Sequence, residues 1–438
     1  MAKRIQLIRD ELSRVDGQVP EAGLAKHHKM ATNPFVFLRG SAQLFYADLA
    51  SGVLSLPKAM EKLPLTTIIG DCHTSNFGFL SEEGSHGDSV IFAPNDFDDA
   101  CIGHAGWDLA RFCTSLVLCA DYAQGLVAGR YTSETDITGK ATMDAADLRP
   151  ALEAFLAAYL EVCQAGIDHP NSRMRILSDF KKSHVLHKRY VKAKQRANGG
   201  QEFELKSSLA KEVDIDQTPL QFRDRPERFE RLKQKTYHQL DYIFAPYMDD
   251  KVLDIVARLN AGTGSVNMER YYMLVGPEGY QGKQDLGLCH VVEVKQQRHA
   301  APLYHFPDLS PVNRLNPAHL TVTCQQRMQR RPDLVLDEVE WKQAHWLVRS
   351  RHHARVGIDP EHITFGKRAS KGGFIQYAAT CGEALALAHC RGDRRSVQFE
   401  KAVNKILPKV SAELVDTCLD YAEVVKQDWA ILNDLVNN

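Results

Sequence analysis

The sequence predicts an α+β fold, mostly helical, with a β-rich unit late in the chain. Three observations predict it. Apolar residues recur at helical spacing in long runs, as in GWDLARFCTSLVLCADYAQGL (106–126) and SAELVDTCLDYAEVVKQDWAILNDLV (411–436). Strand–turn–strand patterns cluster between 250 and 358. Two short β-branched runs, LTTIIG (65–70) and VIFAP (90–94), each lead into an acidic loop.

Taken in order, residues 1–30 read as a polar helix with a basic end, AKHHKM, and NPFVFLRGSAQLFYADLA continues at helical spacing after Gly40. LTTIIG and VIFAP are strands bracketing a loop suited to a metal-binding cleft. The apolar run 106–126 is a core helix, and 145–168 is another. Beyond 171 the composition turns basic (SDFKKSHVLHKRYVKAKQRANGG, then RDRPERFERLKQKTYHQL), which reads as an insertion or lid. VLDIVARLNAGTGSVNMERYYMLVGPEG gives strand, glycine turn, strand, and GLCHVVEVKQQ a third strand. AHLTVTCQQRMQ is helical, and VLDEVEWKQ and HWLVRSRHH are two more strands. The expected division is 1–67, an N-terminal helical segment; 68–170, a catalytic-loop part; 171–249, the basic insertion; 250–358, the β-rich unit; and 359–438, C-terminal helices.

The bulk numbers narrow the function classes. The chain has 438 residues, 44% hydrophobic and 25% charged, ordinary for a globular protein with a sizeable core. Its net charge of −1, from 54 basic and 55 acidic residues, gives no reason to expect a nucleic-acid partner. MAKRIQLIRDELSR lacks the apolar core of a secretory signal, and no run approaches the roughly 20 apolar residues of a membrane span. The ten cysteines form no CxxC pair, which predicts reduced, mostly buried thiols and a cytoplasmic location with no membrane partner.

Three constellations carry chemistry. In GDCHTSN, Asp71 follows a strand and Asn76 lies five residues on; in NDFDDA, Asp96 and Asp98 follow a second strand. Phosphoryl transfer needs positioning and charge neutralisation around a polyphosphate. Asp71 is the candidate for orienting an acceptor hydroxyl. Asn76 and Asp96 are candidates for holding magnesium, with Asp98 either an extra ligand or a supporting group behind the ligands, because magnesium prefers carboxylate and amide oxygens. His73 reads as a hydrogen-bonding loop residue. In WDLAR, Asp108 starts a helix and reads as a brace for the loop. In AGTGSVN, Gly262, Thr263, Gly264 and Ser265 form a turn whose amides can approach phosphates, and Lys295 ends a nearby strand where it reaches them. Arg39, a charge in an apolar context, suits phosphate recognition or an ion pair with Asp71 or Asp96. Arg349 and Arg351 share one strand face and are expected to meet solvent.

The order strand, GTGS turn, strand, strand, Lys295 resembles the nucleotide lobe of a protein kinase, and D-x4-N with NDFD resembles its catalytic and magnesium loops. The lobe follows the catalytic loop here, so the sequence looks like a circularly permuted, two-lobe protein-kinase-like or aminoglycoside-phosphotransferase-like fold. The helix ALALAHCRG (384–392) then packs beside residues 68–80 without being joined to them. The chain also resembles the uncharacterised bacterial family called domain of unknown function 2252, through PFVFLRG (34–40), GDCHTSNFG (70–78), NDFDDACIGHAGWDLAR (95–111), WLVRSRHHARVGID (346–359), CGEALALAHCRGD (381–393) and DYAEVVKQDW (420–429). The family resemblance implies a kinase-like fold and no particular substrate; the kinase resemblance implies ATP and magnesium as partners and a phosphotransferase acting on an unidentified hydroxyl acceptor, small molecule or protein. The alternatives are a nucleotidyl transferase on the same scaffold, a pseudokinase-type binding protein without catalysis, and a metal-dependent hydrolase. One departure stands out. The predicted helix 318–329 offers Gln325 and Gln326 but no glutamate to pair with Lys295.

Overall fold

The α+β expectation holds. The structure, a computed structural model, describes residues 2–82, 87, 89–259, 268–393 and 396–437. Five helices or strands precede the first acidic loop: α1 (Ala2–Asp16), α2 (Ala25–Met30), α3 (Pro34–Gly40), α4 (Ala42–Ser51) and β1 (Thr66–Ile68). α3 starts where the Asn33 side chain accepts the Val36 N–H at 2.9 Å, with Pro34 in the first turn, where a missing N–H costs nothing. Arg4 ties α1 to the rest, bonding Asp428 (Nε–Oδ1 2.7 Å) and Asp48 (Nη2–Oδ2 2.8 Å).

Next come β2 (Phe77–Ser81), β3 (Val90–Pro94), β4 (Cys101–Gly103), α5 (Ala105–Val127) and α6 (Leu148–Asp168). β1 pairs with β4, so the two acidic loops are drawn together. β2 and β3 form a hairpin, with Phe77 opposite Pro94. α5 is buried nearly all round, as an apolar surface without a polar stripe requires.

The basic segment contributes α7 (His187–Arg196), α8 (Phe203–Lys206), α9 (Ser208–Glu212), the short strands β5 (Val213–Asp214), β6 (Gln221–Phe222) and β7 (Phe229–Arg231), and α10 (Gln234–Phe244). Then follow β8 (Lys251–Arg258), β9 (Arg270–Gly276), β10 (His290–Gln296), α11 (Pro317–Met328), β11 (Asp337–Trp341) and β12 (Ala344–Ser350). Six of these strands make one antiparallel sheet in the order β11-β12-β10-β9-β8-β7. The alternation of side chains sends Tyr272, Leu274 and Val291 to one face, against Phe203, Leu209 and Phe222 of the basic segment. It sends Tyr271, Met273 and Val292 to the other, against Leu240, Phe244 and Trp346. From α8 onward the basic segment therefore lies on this sheet and supplies its edge strand, β7, whereas α7 packs on β2, β3 and the strand Val356–Gly357.

The chain ends with β13 (Val356–Gly357), which pairs with β2, then α12 (Pro360–Thr364), α13 (Gly373–Gly392) and α14 (Gln398–Asn437). Phe399, Val403, Leu407, Val410, Leu414 and Cys418 recur every three or four residues along α14 and bury against the helical core. α13 lies against β1 and the first acidic loop: Thr66 Oγ1 donates to the His389 carbonyl at 3.0 Å and Tyr377 Oη to the Thr74 carbonyl at 2.5 Å. All ten cysteines are buried and unpaired. Among the described residues, no helix is long and apolar enough to cross a membrane.

α13 and α6 approach closely because Gly382 has no side chain: a Cβ there would lie 2.2 Å from the Phe155 carbonyl oxygen. Gly→Ala in a helix ordinarily stabilises by up to about 1 kcal/mol. At this backbone contact Gly382→Ala is predicted to destabilise instead, by about 1–3 kcal/mol, as a lowered urea midpoint.

Candidate functional site

The first acidic loop is fixed by buried polar contacts. Gly70 has φ +80, and a Cβ there would lie 1.9 Å from the Asp99 carbonyl oxygen, so only glycine lets the two acidic loops meet. Asp108, in the first turn of α5, accepts from Ile69 N at 2.7 Å and Gly70 N at 3.0 Å. It also meets His389 Nε2 at 3.0 Å, and His389 Nδ1 meets Tyr159 Oη at 2.7 Å. Tyr46 Oη donates to the Gly70 carbonyl at 2.5 Å, and Asn76 Nδ2 to the Asp71 carbonyl at 2.7 Å. Asp108 thus does what the sequence predicts of it.

Asp71 is held by Arg111, three residues beyond Asp108 on α5, whose Nε donates to Oδ1 at 2.7 Å. Arg111 is fully buried, also bonds the Leu38 carbonyl at 2.7 Å, and lies 5.3 Å from the Phe45 ring centre. Burial works against its charge, and Asp71 outweighs that and raises its pKa. His73 makes no close hydrogen bond to Asp71, the nearest approach being 3.6 Å. Burial, with Arg39 and Arg111 adding, pushes its pKa well down, so His73 stays neutral.

The second acidic loop meets the six-stranded sheet. Lys295, buried at the end of β10, bonds Asp98 Oδ2, and Arg349 Nη1 bonds Asp98 Oδ1 at 3.1 Å. Gln297 Nε2 donates to the Asp98 carbonyl at 2.7 Å and to Thr321 of α11 at 3.2 Å. Glu293, two residues before Lys295 and on the same face, is buried among Arg270 (3.0 Å), Arg349 (2.9 Å) and Arg351 (3.4 Å). Burial would raise both carboxyls, but the cations outweigh it: Lys295 and Arg349 hold Asp98 below its usual range, and the three arginines hold Glu293 well below. Arg349 and Arg351 do not meet solvent as expected. The buried Glu293 draws both inward, and the half-buried Asp98 also takes Arg349.

Asp96 differs. Its carboxylate forms no ion pair with any described residue and accepts only from Asp98 N, at 3.3 Å. Burial and the neighbouring Asp98 push its pKa up to about 6, against the pull of Arg349, Lys295 and Arg355. Arg39, Asp71, Asn76, Asp96, Asp98 and Arg298 line one narrow cleft of about 50 Å³. Arg39 makes no ion pair with Asp71 or Asp96; its Nε is buried without a partner, and burial lowers its pKa although both carboxylates favour the charge.

The structure therefore gathers Arg39, Asp71, Asn76, Asp96 and Asp98 around one opening, and Lys295, 256 positions from Arg39 in sequence (39 to 295), lies buried behind it, bonded to Asp98. Gly262, Thr263, Gly264 and Ser265 lie outside the described residues. Sequence reading passed over Arg111 and Glu293 although both left a signal. Each is a charge within an apolar run, in LARFC and VVEVK, where only a buried partner makes the residue tolerable. Arg298 left no such signal.

The donors fit magnesium in company rather than alone. Among the described residues, no three His, Cys, Asp or Glu side chains converge as a ready-made metal cage. Among the described residues, the Asp96 carboxylate meets no counter-ion, and the Asn76 amide spends its nitrogen on Asp71 and leaves its oxygen uncommitted. Asp98, expected as an extra ligand or a supporting group, has both oxygens engaged by cations. One carboxylate and one amide match magnesium that takes its other ligands from water and phosphates.

Fold and site together define an α+β protein whose sheet delivers a lysine to a carboxylate-lined cleft in a helical body. The profile of a family described as uncharacterized proteins conserved in bacteria (DUF2252) matches residues 18–435, and the chain belongs to that family. Comparison with curated proteins and with solved structures gave no match.

Asp96 yields a prediction with a sign. Its folded pKa lies above the ordinary 3.8, so the fold favours the protonated form, and that contribution fades as pH rises through about 6. Asp96→Asn is therefore predicted to stabilise the protein at pH 8 by on the order of 1–2 kcal/mol, with the gain vanishing near pH 4, in urea titrations at the two pH values.

Proposed function

We propose that the protein is a magnesium-dependent phosphotransferase that moves the γ-phosphoryl group of ATP to a hydroxyl acceptor. The observation that carries this reading is the meeting of Lys295 with the Asp96–Asp98 turn, facing Asp71 and Asn76 across one cleft. In this reading Asp71 receives the acceptor's proton as its oxygen attacks phosphorus, and ADP leaves with the bridging oxygen. Arg111 fixes the orientation of Asp71. Asp96 and Asn76 hold magnesium, which neutralises charge on the phosphates. Lys295 and Arg39 supply further positive charge to the nucleotide, with the amides of Gly262–Ser265.

The missing helix glutamate has a counterpart in this scheme. Asp98 takes Lys295, and Gln297 links that pair to α11 through Thr321, so the helix is coupled to the lysine by hydrogen bonds instead of an ion pair. The packing of α13 against β1 and Thr74 supports a kinase-like, two-lobe architecture in permuted order. The bond that covalent continuity would provide is replaced by side-chain contacts.

The test is turnover of ATP with magnesium, resolving ADP, AMP and pyrophosphate. ADP formation is expected to require magnesium and to fall by about a hundredfold or more in Asp96→Ala and in Asp71→Ala, with thermal unfolding not lowered in Asp96→Ala. AMP and pyrophosphate as products would move the assignment to nucleotidyl transfer. Absence of nucleotide binding would overturn it.

A further inference from the structure

Beyond the cleft, α7 carries cations that lack counter-ions. Arg189, Lys192 and Arg196 are spaced three and four residues apart, so they share one face of the helix, and all three are half-buried. Lys211, in α9, faces the same group: its charge acts on Lys192 together with those of Arg189 and Arg196. None of the four side chains bonds or ion-pairs with a described residue, and Arg196 Nε is buried without a partner.

The carboxylates that could neutralise them are committed elsewhere. Glu202, the neighbour of Arg196, is bonded to Lys206 at 2.6 Å. Glu212, the neighbour of Lys211, takes Arg228 Nε at 2.8 Å. Among the described carboxylates, Asp359 remains, acting on Arg189 and Lys192. Recessed like charges without anions are costly to keep. Burial and mutual repulsion work against the charged form of Lys192, the sign of a surface short of its anion.

The placement ties this face to the cleft. α7 packs on β2, β3 and β13, the strands adjoining Asn76, Asp96 and Asp359. Asp359 acts both on Arg39 in the cleft and on Arg189 of α7. From residue 189 to 196 the helix rises about 10 Å, enough to engage more than one anionic group. Arginine forks suit phosphate oxygens, and recessed side chains suit a compact ligand.

We propose that this face of α7, with Lys211, binds the acceptor, and that the acceptor is a small molecule bearing two or more phosphate groups beside its hydroxyl. This rests on the phosphotransferase reading above. The probe is fructose 1,6-bisphosphate, chosen for two phosphates on a hydroxylated body, titrated calorimetrically into protein saturated with a non-hydrolysable ATP analogue and magnesium. Fructose is the uncharged control. The variant combines Arg189→Gln, Lys192→Gln and Arg196→Gln. A second variant combines Lys401→Gln, Lys405→Gln and Lys409→Gln on α14 and removes equal charge elsewhere.

The expected result is binding of the bisphosphate and not of fructose, weakened about tenfold or more by the α7 variant alone, with analogue affinity and thermal unfolding unchanged. Equal weakening in the α14 variant would reduce the effect to general electrostatics and overturn the proposal, as would binding indifferent to the α7 changes or absent from the wild type. A bisphosphate that competes with the analogue would assign these cations to the nucleotide and also overturn it. If no analogue binds while bisphosphate binding still needs the three cations, the phosphotransferase reading fails, and the acceptor role with it.

Discussion

The carboxylate of Asp108 sits at the first turn of α5 with no exposure, and two segments distant in sequence hang on it through three contacts. Two of its contacts are the backbone N–H groups of Ile69 and Gly70, which would otherwise be buried donors at the end of β1. The third is His389 of α13. An imidazole protonated at Nε2 donates to Asp108 and accepts from Tyr159 at Nδ1, so one neutral tautomer satisfies the chain of contacts. The dipole of α5 favours a negative charge at this end. Asp71 follows Gly70 directly, and its partner Arg111 is one turn further along the same helix. The direction of the Asp71 side chain is therefore inherited from Asp108.

The second acidic loop is governed by a different constraint, the division of buried charge. Asp98 and Glu293 each face two or more cations, whereas Asp96, two residues from Asp98, is in direct contact with none among the described residues. A carboxylate already faced by two or more cations gains little from a further one, while the cations around it keep charge to spare. An unmatched carboxyl in the same environment is raised in energy and gains most from a cation brought from outside. Asp98 and Glu293 thereby anchor the sheet to the helical body, and Asp96 is left as the group with chemistry to offer.

Much of this was legible in the sequence, because burial writes itself as pattern. The alternation in VVEVK and the apolar length of residues 106–126 fixed strand and helix before any contact was known. GD and NDFDD pointed to the cleft because aspartates ending β-branched runs are poor core residues. The partners were not legible. That Lys295 meets Asp98 rather than a helix glutamate depends on where the sheet docks, and no local spacing encodes that. Arg349 and Arg351 were expected outward because strand alternation identifies a shared face but not which face is inward. The sequence marks the basic segment 180–235 as one that could shape the acceptor site, but not which of its cations lack partners, because that depends on their neighbours' carboxylates being bonded to other residues.

The chain order matters less than these contacts. Between β1 and α13 lie more than three hundred residues, yet Thr66, Thr74 and Asp108 each bond a residue of that helix. Loop-closure entropy grows only with the logarithm of length, so the added cost of joining such distant segments is about 1 kcal/mol over a connection a third as long. Each buried hydrogen bond contributes a comparable amount. Three such bonds, with the packing of Gly392 and Tyr377, are enough to hold the helix where a short covalent turn would otherwise hold it. On the proposed kinase-like reading, permutation costs the site nothing that these side chains do not restore, which is why the acidic loops can precede the lysine in sequence and still meet it in space.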